Sequence, residues 1–204
     1  MRARCSKKLA RPSDSEIDAA IKSLLSSGEE ISKAAVLRKV ASPHVSQNSG
    51  EHEWYSPSEY IEAAREVMGG IDLDPASSAI ANKLIKAKRF YDIEADGLSK
   101  KWKGRVWMNP PYASPLITKF CQKLVDSDIE AACVLVNNAT ETAWFQMVAD
   151  RASVVCFPKK RVKFRHPERK STPLQGQAVL YIGEKPVEFC DAFKTFGFCA
   201  RMQA

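Results

Sequence analysis

Asn109-Pro110-Pro111-Tyr112 places an amide, two rigid rings and a phenol in four consecutive residues. That set suits the activation of a heteroaromatic amine. The lone pair of such a nitrogen is delocalised into its ring, which makes it a poor nucleophile. The side-chain carbonyl of Asn109 and the main-chain carbonyl of Pro110 can each accept one N–H bond. Two acceptors out of the ring plane draw the nitrogen toward tetrahedral geometry and stabilise the positive charge that grows on it during attack. Tyr112 adds a stacking face, worth about 1–3 kcal/mol per base in nucleic-acid proteins. No nucleophilic Cys or Ser is required, and no metal. The plainer alternative is a proline-rich turn between a strand and a helix.

Such a turn needs a strand before it and a helix after it. Gly104-Arg105-Val106-Trp107-Met108 reads as a short buried strand, and Leu116, Ile117, Phe120 and Leu124 mark the helix that follows. Consecutive prolines hold the link extended, since each fixes its own φ and biases the residue before it away from the helical region. A second station is Gly69-Gly70-Ile71-Asp72-Leu73-Asp74-Pro75, a turn and a strand at 71–73 with carboxylates at its end. Ligands of open α/β sheets bind beyond the carboxyl ends of strands, where an acidic residue commonly grips ribose hydroxyls. Alternation puts Asp72 and Asp74 on one side, with Asp74 the stronger candidate because it adjoins Pro75. The competing role for either is to cap the next helix.

Further strands are expected at 106–108, 132–136, 154–157 and 178–182, with a possible edge strand at 198–201. Helical patterns cover 58–68, 116–125, 142–149 and 187–193. This alternation predicts an α/β fold with a twisted, mostly parallel sheet flanked by helices. Residues 1–12 read as a disordered basic tail, and 13–48 as a small helical segment in which Ile17, Ile21, Leu24 and Leu25 share a face. The run 31–40 resembles the start of a helix-turn-helix; a dimerising or capping helix pair is the alternative. The main domain is expected over 53–204.

The chain has 204 residues, 45% of them hydrophobic, so its composition is that of a globular protein. No apolar run approaches the roughly 18 residues that would mark a membrane span, and the basic start lacks the apolar stretch of a secretory signal. Cysteines 5, 121, 133, 156, 190 and 199 show no zinc spacing and read as buried thiols in a reducing compartment. A net charge of +7 favours polyanionic partners. Much of it is concentrated in Lys159, Lys160, Arg161, Lys163, Arg165, Arg169 and Lys170, which read as a DNA-contacting strip or as a solvated loop.

Residues from Glu53 to about Ile182 resemble the phage-type DNA N6-adenine methyltransferases, within the S-adenosylmethionine-dependent amino-methyltransferases. The matching stretches are Glu53-Trp54-Tyr55-Ser56-Pro57, Gly70-Ile71-Asp72-Leu73-Asp74-Pro75-Ala76-Ser77, Asp96-Gly97-Leu98 and Trp107-Met108-Asn109-Pro110-Pro111-Tyr112. The tetrapeptide alone also occurs in enzymes that methylate protein glutamine; the four stretches in this order are far more specific. The resemblance implies a Rossmann-like methyltransferase fold, S-adenosylmethionine as cofactor, DNA as partner, no membrane, and a cytoplasmic location in a bacterial or phage-infected cell. It implies that Tyr55, Ser56 and Pro57 lie beneath the methionine part of the cofactor. Asp72, Asp74 and Pro75, then Asp96, would hold the rest, beside Asn109. Ser56 and Pro57 also read as a helix entry, and Asp96-Gly97 as a plain turn. Arg161-Val162-Lys163-Phe164 is similar to a late family motif whose aromatic residue holds the extruded base. Phe164 is therefore a candidate to face Tyr112 across the base, with Lys160, Arg161, Lys163 and Arg165 on the DNA; a hairpin residue packed in the core is the alternative.

One departure stands out. Many methyltransferases follow the first strand with a glycine-rich loop, whereas here the chain reads Pro75-Ala76-Ser77-Ser78-Ala79-Ile80. Rival readings are cytosine-N4 methylation, glutamine methylation in a protein, which leaves the basic strip unexplained, and a catalytically silent DNA-binding regulator.

Overall fold

The computed structural model describes residues 55–165 and 175–202, together with Ile17, Asp18, Ile21, Lys22, Leu24, Leu25, Ser32 and Val36. The tail at 1–12, the linker at 46–50, Arg169, Lys170 and most of the helix-turn-helix expectation lie outside the described residues. Two compact units divide at 45/46. In the first, Ile17, Ile21 and Leu24 are helical and turn inward, with Leu24 fully buried. Leu25, expected on the same face, is exposed, so the inward stripe follows 17, 21 and 24.

The second unit is α/β. Its elements run α1 (Ser58–Met68), β1 (Leu73–Asp74), α2 (Ala79–Ile85), β2 (Arg89–Phe90), a 3-10 turn at Gly97–Ser99, β3 (Arg105–Met108), α3 (Leu116–Asp126), β4 (Ala131–Asn137), α4 (Ala143–Arg151), β5 (Val154–Pro158), β6 (Gln177–Ile182), α5 (Pro186–Phe193) and β7 (Gly197–Arg201). One seven-stranded sheet has the order β2-β1-β3-β4-β6-β5-β7. The sheet is mixed, not simply parallel. Strands β2, β1, β3 and β4 pair in parallel, whereas β4–β6, β6–β5 and β5–β7 pair antiparallel. Consecutive β5 and β6 are sheet neighbours, and antiparallel pairing is the arrangement open to such strands without a crossover.

Central strand β4 is covered on both faces, which explains its unbroken apolar run from Ala131 to Val136. Alternation sorts its side chains. Cys133 and Leu135 join Trp107, Val179 and Tyr181 on the face covered by α1 and α5. Ala132, Val134 and Val136 join Val106, Met108 and Leu180 on the face covered by α3 and α4. The first strand begins later than its sequence suggests, at Leu73, and a two-residue β2 flanks it.

Candidate active site

Because β1 and β3 are parallel neighbours, with Leu73 opposite Val106, their carboxyl ends finish side by side. Asp74 and Pro75 close one strand; Asn109 to Tyr112 close the next. Continuing the register sets Asn109 two residues past the position opposite Asp74, about 8 Å away by strand spacing and rise.

Asp74 is 2% exposed. Its Oδ1 accepts from the Ala76 amide at 3.2 Å, closing an Asx turn. The cap of α2 is supplied by Ser78, whose hydroxyl accepts from the Ala81 amide at 3.1 Å. Burial drives the Asp74 carboxyl up to about 7, against the pull of the Ser77 hydroxyl and the Ala76 amide. That hydroxyl is itself buried without a well-formed hydrogen bond, so its help is weak and burial prevails.

The turn at 96–97 folds against the same strand end. A side-chain carbon at Gly97 would collide with the carbonyl oxygen of Pro75, so only glycine allows the approach. Trp102 locks the turn by donating to the Gly97 carbonyl at 2.8 Å. Asp96 is exposed and takes a left-handed backbone, φ 47°, with Oδ1 accepting from the Leu98 amide at 3.1 Å.

Asp72 is placed differently. It precedes β1, at the opposite end from the tetrapeptide, and Arg105 grips it with both Nε (2.7 Å) and Nη2 (3.1 Å). Lys88 adds a contact at 2.8 Å. These cations hold the Asp72 carboxyl well below the usual carboxylate range, the Arg105 hydrogen bond most of all. The same guanidinium donates to the carbonyls of Met68 (3.1 Å) and Gly69 (2.7 Å), closing the end of α1.

Within the tetrapeptide Pro110 is buried, while Asn109, Pro111 and Tyr112 are half-buried. The Tyr112 hydroxyl donates to Asn109 Oδ1 at 2.9 Å, with the Leu135 carbonyl at 3.3 Å as a second, weaker acceptor. Burial pushes this phenol far above its ordinary range, so it keeps its proton. An amide oxygen has two acceptor sites, so one remains on Asn109.

Tyr55 and Arg165 form an isolated antiparallel bridge, each amide donating to the other's carbonyl at 2.8 Å. The bridge joins the segment of Tyr55 and the buried Ser56 and Pro57 to the basic strip. Val162 is buried and Phe164 half-buried against the α1/α5-face cluster, while Lys160, Arg161, Lys163 and Arg165 are exposed. Tyr112 packs on the other face's cluster, and no ring contact joins it to Phe164 among the described residues.

A polar pair escaped the sequence reading. Gln177 Nε2 donates to Asn137 Oδ1 at 2.8 Å where β4 ends and β6 begins, and Gln177 Oε1 is buried without a partner. The one available signal was the Asn137-Asn138 doublet closing an apolar strand. An open depression of about 540 Å³ on the outside of α3, lined by Leu98, Lys119, Gln122 and Lys123 among others, includes none of these residues. The five described cysteines are free, and no described cluster of His, Cys, Asp and Glu could hold a metal. No described helix is long and apolar enough to cross a membrane.

Over 88 residues the chain is 32% identical to a DNA N-6-adenine-methyltransferase of Haemophilus phage HP1 (strain HP1c1), covering 41% of this chain and 50% of that protein. Over 107 residues it is 33% identical to a DNA N-6-adenine-methyltransferase of Escherichia phage T1, covering 50% of this chain and 42% of that protein. The chain thus spans about half the length of the curated relatives it matches. The family model described as DNA N-6-adenine-methyltransferase (Dam) matches residues 44–183, well over half of the chain and all of the strand ends described above. This chain belongs to the DNA N-6-adenine-methyltransferase (Dam) family.

Proposed function

We propose that this chain transfers a methyl group from S-adenosylmethionine to the N6 amine of adenine in DNA, on a Rossmann-like methyltransferase fold. The observation that carries this reading is the adjacency of two parallel strand ends, one closed by the buried Asp74 and the other by Asn109-Pro110-Pro111-Tyr112. The residues fit such a cofactor. A buried carboxylate suits a vicinal diol, and the tight seat of Gly97 on Pro75 shapes the wall beside it. S-adenosylmethionine supplies an electrophilic methyl on sulfur.

Tyr55, Ser56, Pro57, Asp74, Pro75 and Asp96 hold it, with Asn109 at the reacting end. Asp72 is reassigned to the frame, since Arg105 and Lys88 engage both of its oxygens. The target adenine leaves the duplex at a cost of a few kcal/mol. It stacks on Tyr112, with Phe164 approaching from the strip that crosses the other face. The free acceptor site on Asn109 and the Pro110 carbonyl take the two amine protons, and Tyr112 holds the Asn109 amide in orientation. Holding amine and methyl at near-attack distance supplies much of the rate gain. The surplus proton leaves to solvent. Lys160, Arg161, Lys163 and Arg165 hold DNA phosphates. The protein works in the cytoplasm of a bacterial or phage-infected cell.

The test is transfer of labelled methyl from S-adenosylmethionine to DNA, followed by nucleoside analysis. N6-methyladenine is expected, with no transfer by Asn109→Ala. N4-methylcytosine would overturn the base assignment, and an unlabelled product from the wild-type chain the whole reading.

A further inference from the structure

Phe198 stands near the start of edge strand β7 and is 67% exposed. The β5–β7 pairing sets it opposite Phe157, and Gly197 opposite Pro158. The two rings lie 5.3 Å apart, so a half-buried phenylalanine braces the exposed one. One residue past Pro158, the Lys159 amide donates to the Phe196 carbonyl at 2.9 Å. The exposed Lys159 and Lys160 therefore begin where the aromatic pair ends.

Strand β5 runs in the same direction as β3, so this cluster sits at the same end of the sheet as Asn109. From β3 the order passes through β4, β6 and β5 to β7, four strand steps. At about 4.8 Å each, that is about 19 Å.

A single exposed phenylalanine is ordinary on a protein surface. This one continues a cationic strip, so its partner must accept an apolar ring and positive charge side by side. A nucleic-acid flank does both, offering thymine methyls and loosened base steps next to phosphates.

Resting on the DNA reading above, we infer that Phe198, with Lys159 and Lys160, makes a second DNA contact about five or six base pairs from the methylated adenine. The ring meets apolar surface in the flank while the lysines neutralise phosphates. The contact lengthens the footprint on DNA.

The experiment compares binding of the full chain to two duplexes built on the methylated sequence. One extends ten base pairs on each side of the adenine; the other is trimmed to three. Phe198→Ala should weaken binding to the long duplex about tenfold, the scale of one aromatic contact. It should leave the short duplex and the salt slope unchanged, and Phe198→Trp should restore the affinity. Lys159→Gln with Lys160→Gln should lower the salt slope by about two on the long duplex, and by less on the short one. Equal affinities of wild type and Phe198→Ala for the long duplex would overturn the inference. So would an equal loss on both duplexes, or a change in sedimentation mass with DNA affinity intact, which would assign the ring to a contact between copies. If the wild-type chain binds neither duplex, the DNA reading fails first and takes this contact with it.

Discussion

Strands β2, β1, β3 and β4 pair in parallel, and β1 and β3 end in groups fixed by burial or hydrogen bonding: Asp74, Pro110 and the Tyr112 hydroxyl. Strands β6, β5 and β7 pair antiparallel, and Lys159, Lys160 and Lys163 after β5, with Phe198 on β7, stand out in solvent. The first half suits chemistry, because atoms that must meet within a few tenths of an ångström need immobile supports. The second suits a long polyanion, because charges acting over several ångströms need reach more than rigidity. Substitutions in the two halves should therefore change different quantities.

The largest effect belongs at Asn109. Its replacement by Ala should lower kcat by at least about 10³-fold and leave the cofactor Kd near wild type, as read by calorimetry; loss of cofactor affinity instead would merge the two roles. Next comes Asp74, whose ionised form is the hydrogen-bond acceptor. Cofactor affinity should fall as the pH drops below about 7, approaching tenfold per unit, and Asp74→Asn should be weak and flat with pH. In the ligand-free chain the sign reverses: a carboxyl raised by folding favours the folded state while protonated, so that stability is lost as pH rises through about 7. Asp72 supplies the contrast. Its carboxyl is depressed, so its contribution persists above the ordinary carboxylate range and is lost as pH falls into strong acid. Asp72→Asn should cost about 1–2 kcal/mol in denaturant unfolding with cofactor binding intact.

In the antiparallel half, Lys160→Gln with Lys163→Gln should weaken DNA about tenfold at low salt and reduce the salt slope by about two, leaving cofactor binding unchanged. The smallest effect is expected for Tyr112→Phe, which keeps the ring and removes the donor to Asn109. A five- to tenfold drop in kcat with KM for DNA preserved is the outcome to look for; a change confined to KM would leave the hydroxyl without a part in orienting the amide.

Much of the architecture was legible because strands β3, β4 and β6 are buried on both faces and so carry continuous apolar runs. The tetrapeptide was legible because two prolines admit few conformations. What could not be read was long-range. Alternation linked Asp72 with Asp74, yet β1 starts only at Leu73, and the partner that claims Asp72 lies 33 residues away. Strand β2 is two residues long, neither of them buried, and pairs with β1 through the main chain, too short for a side-chain period to announce it. Helix α2 hid in the stretch that departs from the glycine-rich pattern, although Ser78 was there to cap it. The Asn137–Gln177 pair joins residues 40 apart and follows no local rule.

The clasp between Tyr55 and Arg165 has a consequence for how two ligands would be handled. Two short backbone bonds make one hinge of the segment proposed to seat the cofactor and the last described cation of the strip. Steadying either side then steadies the other, and linkage demands that the benefit be mutual and equal in factor. Spent cofactor leaving that segment would slacken the hold on the strand, so that turnover itself loosens the grip and lets the protein move on.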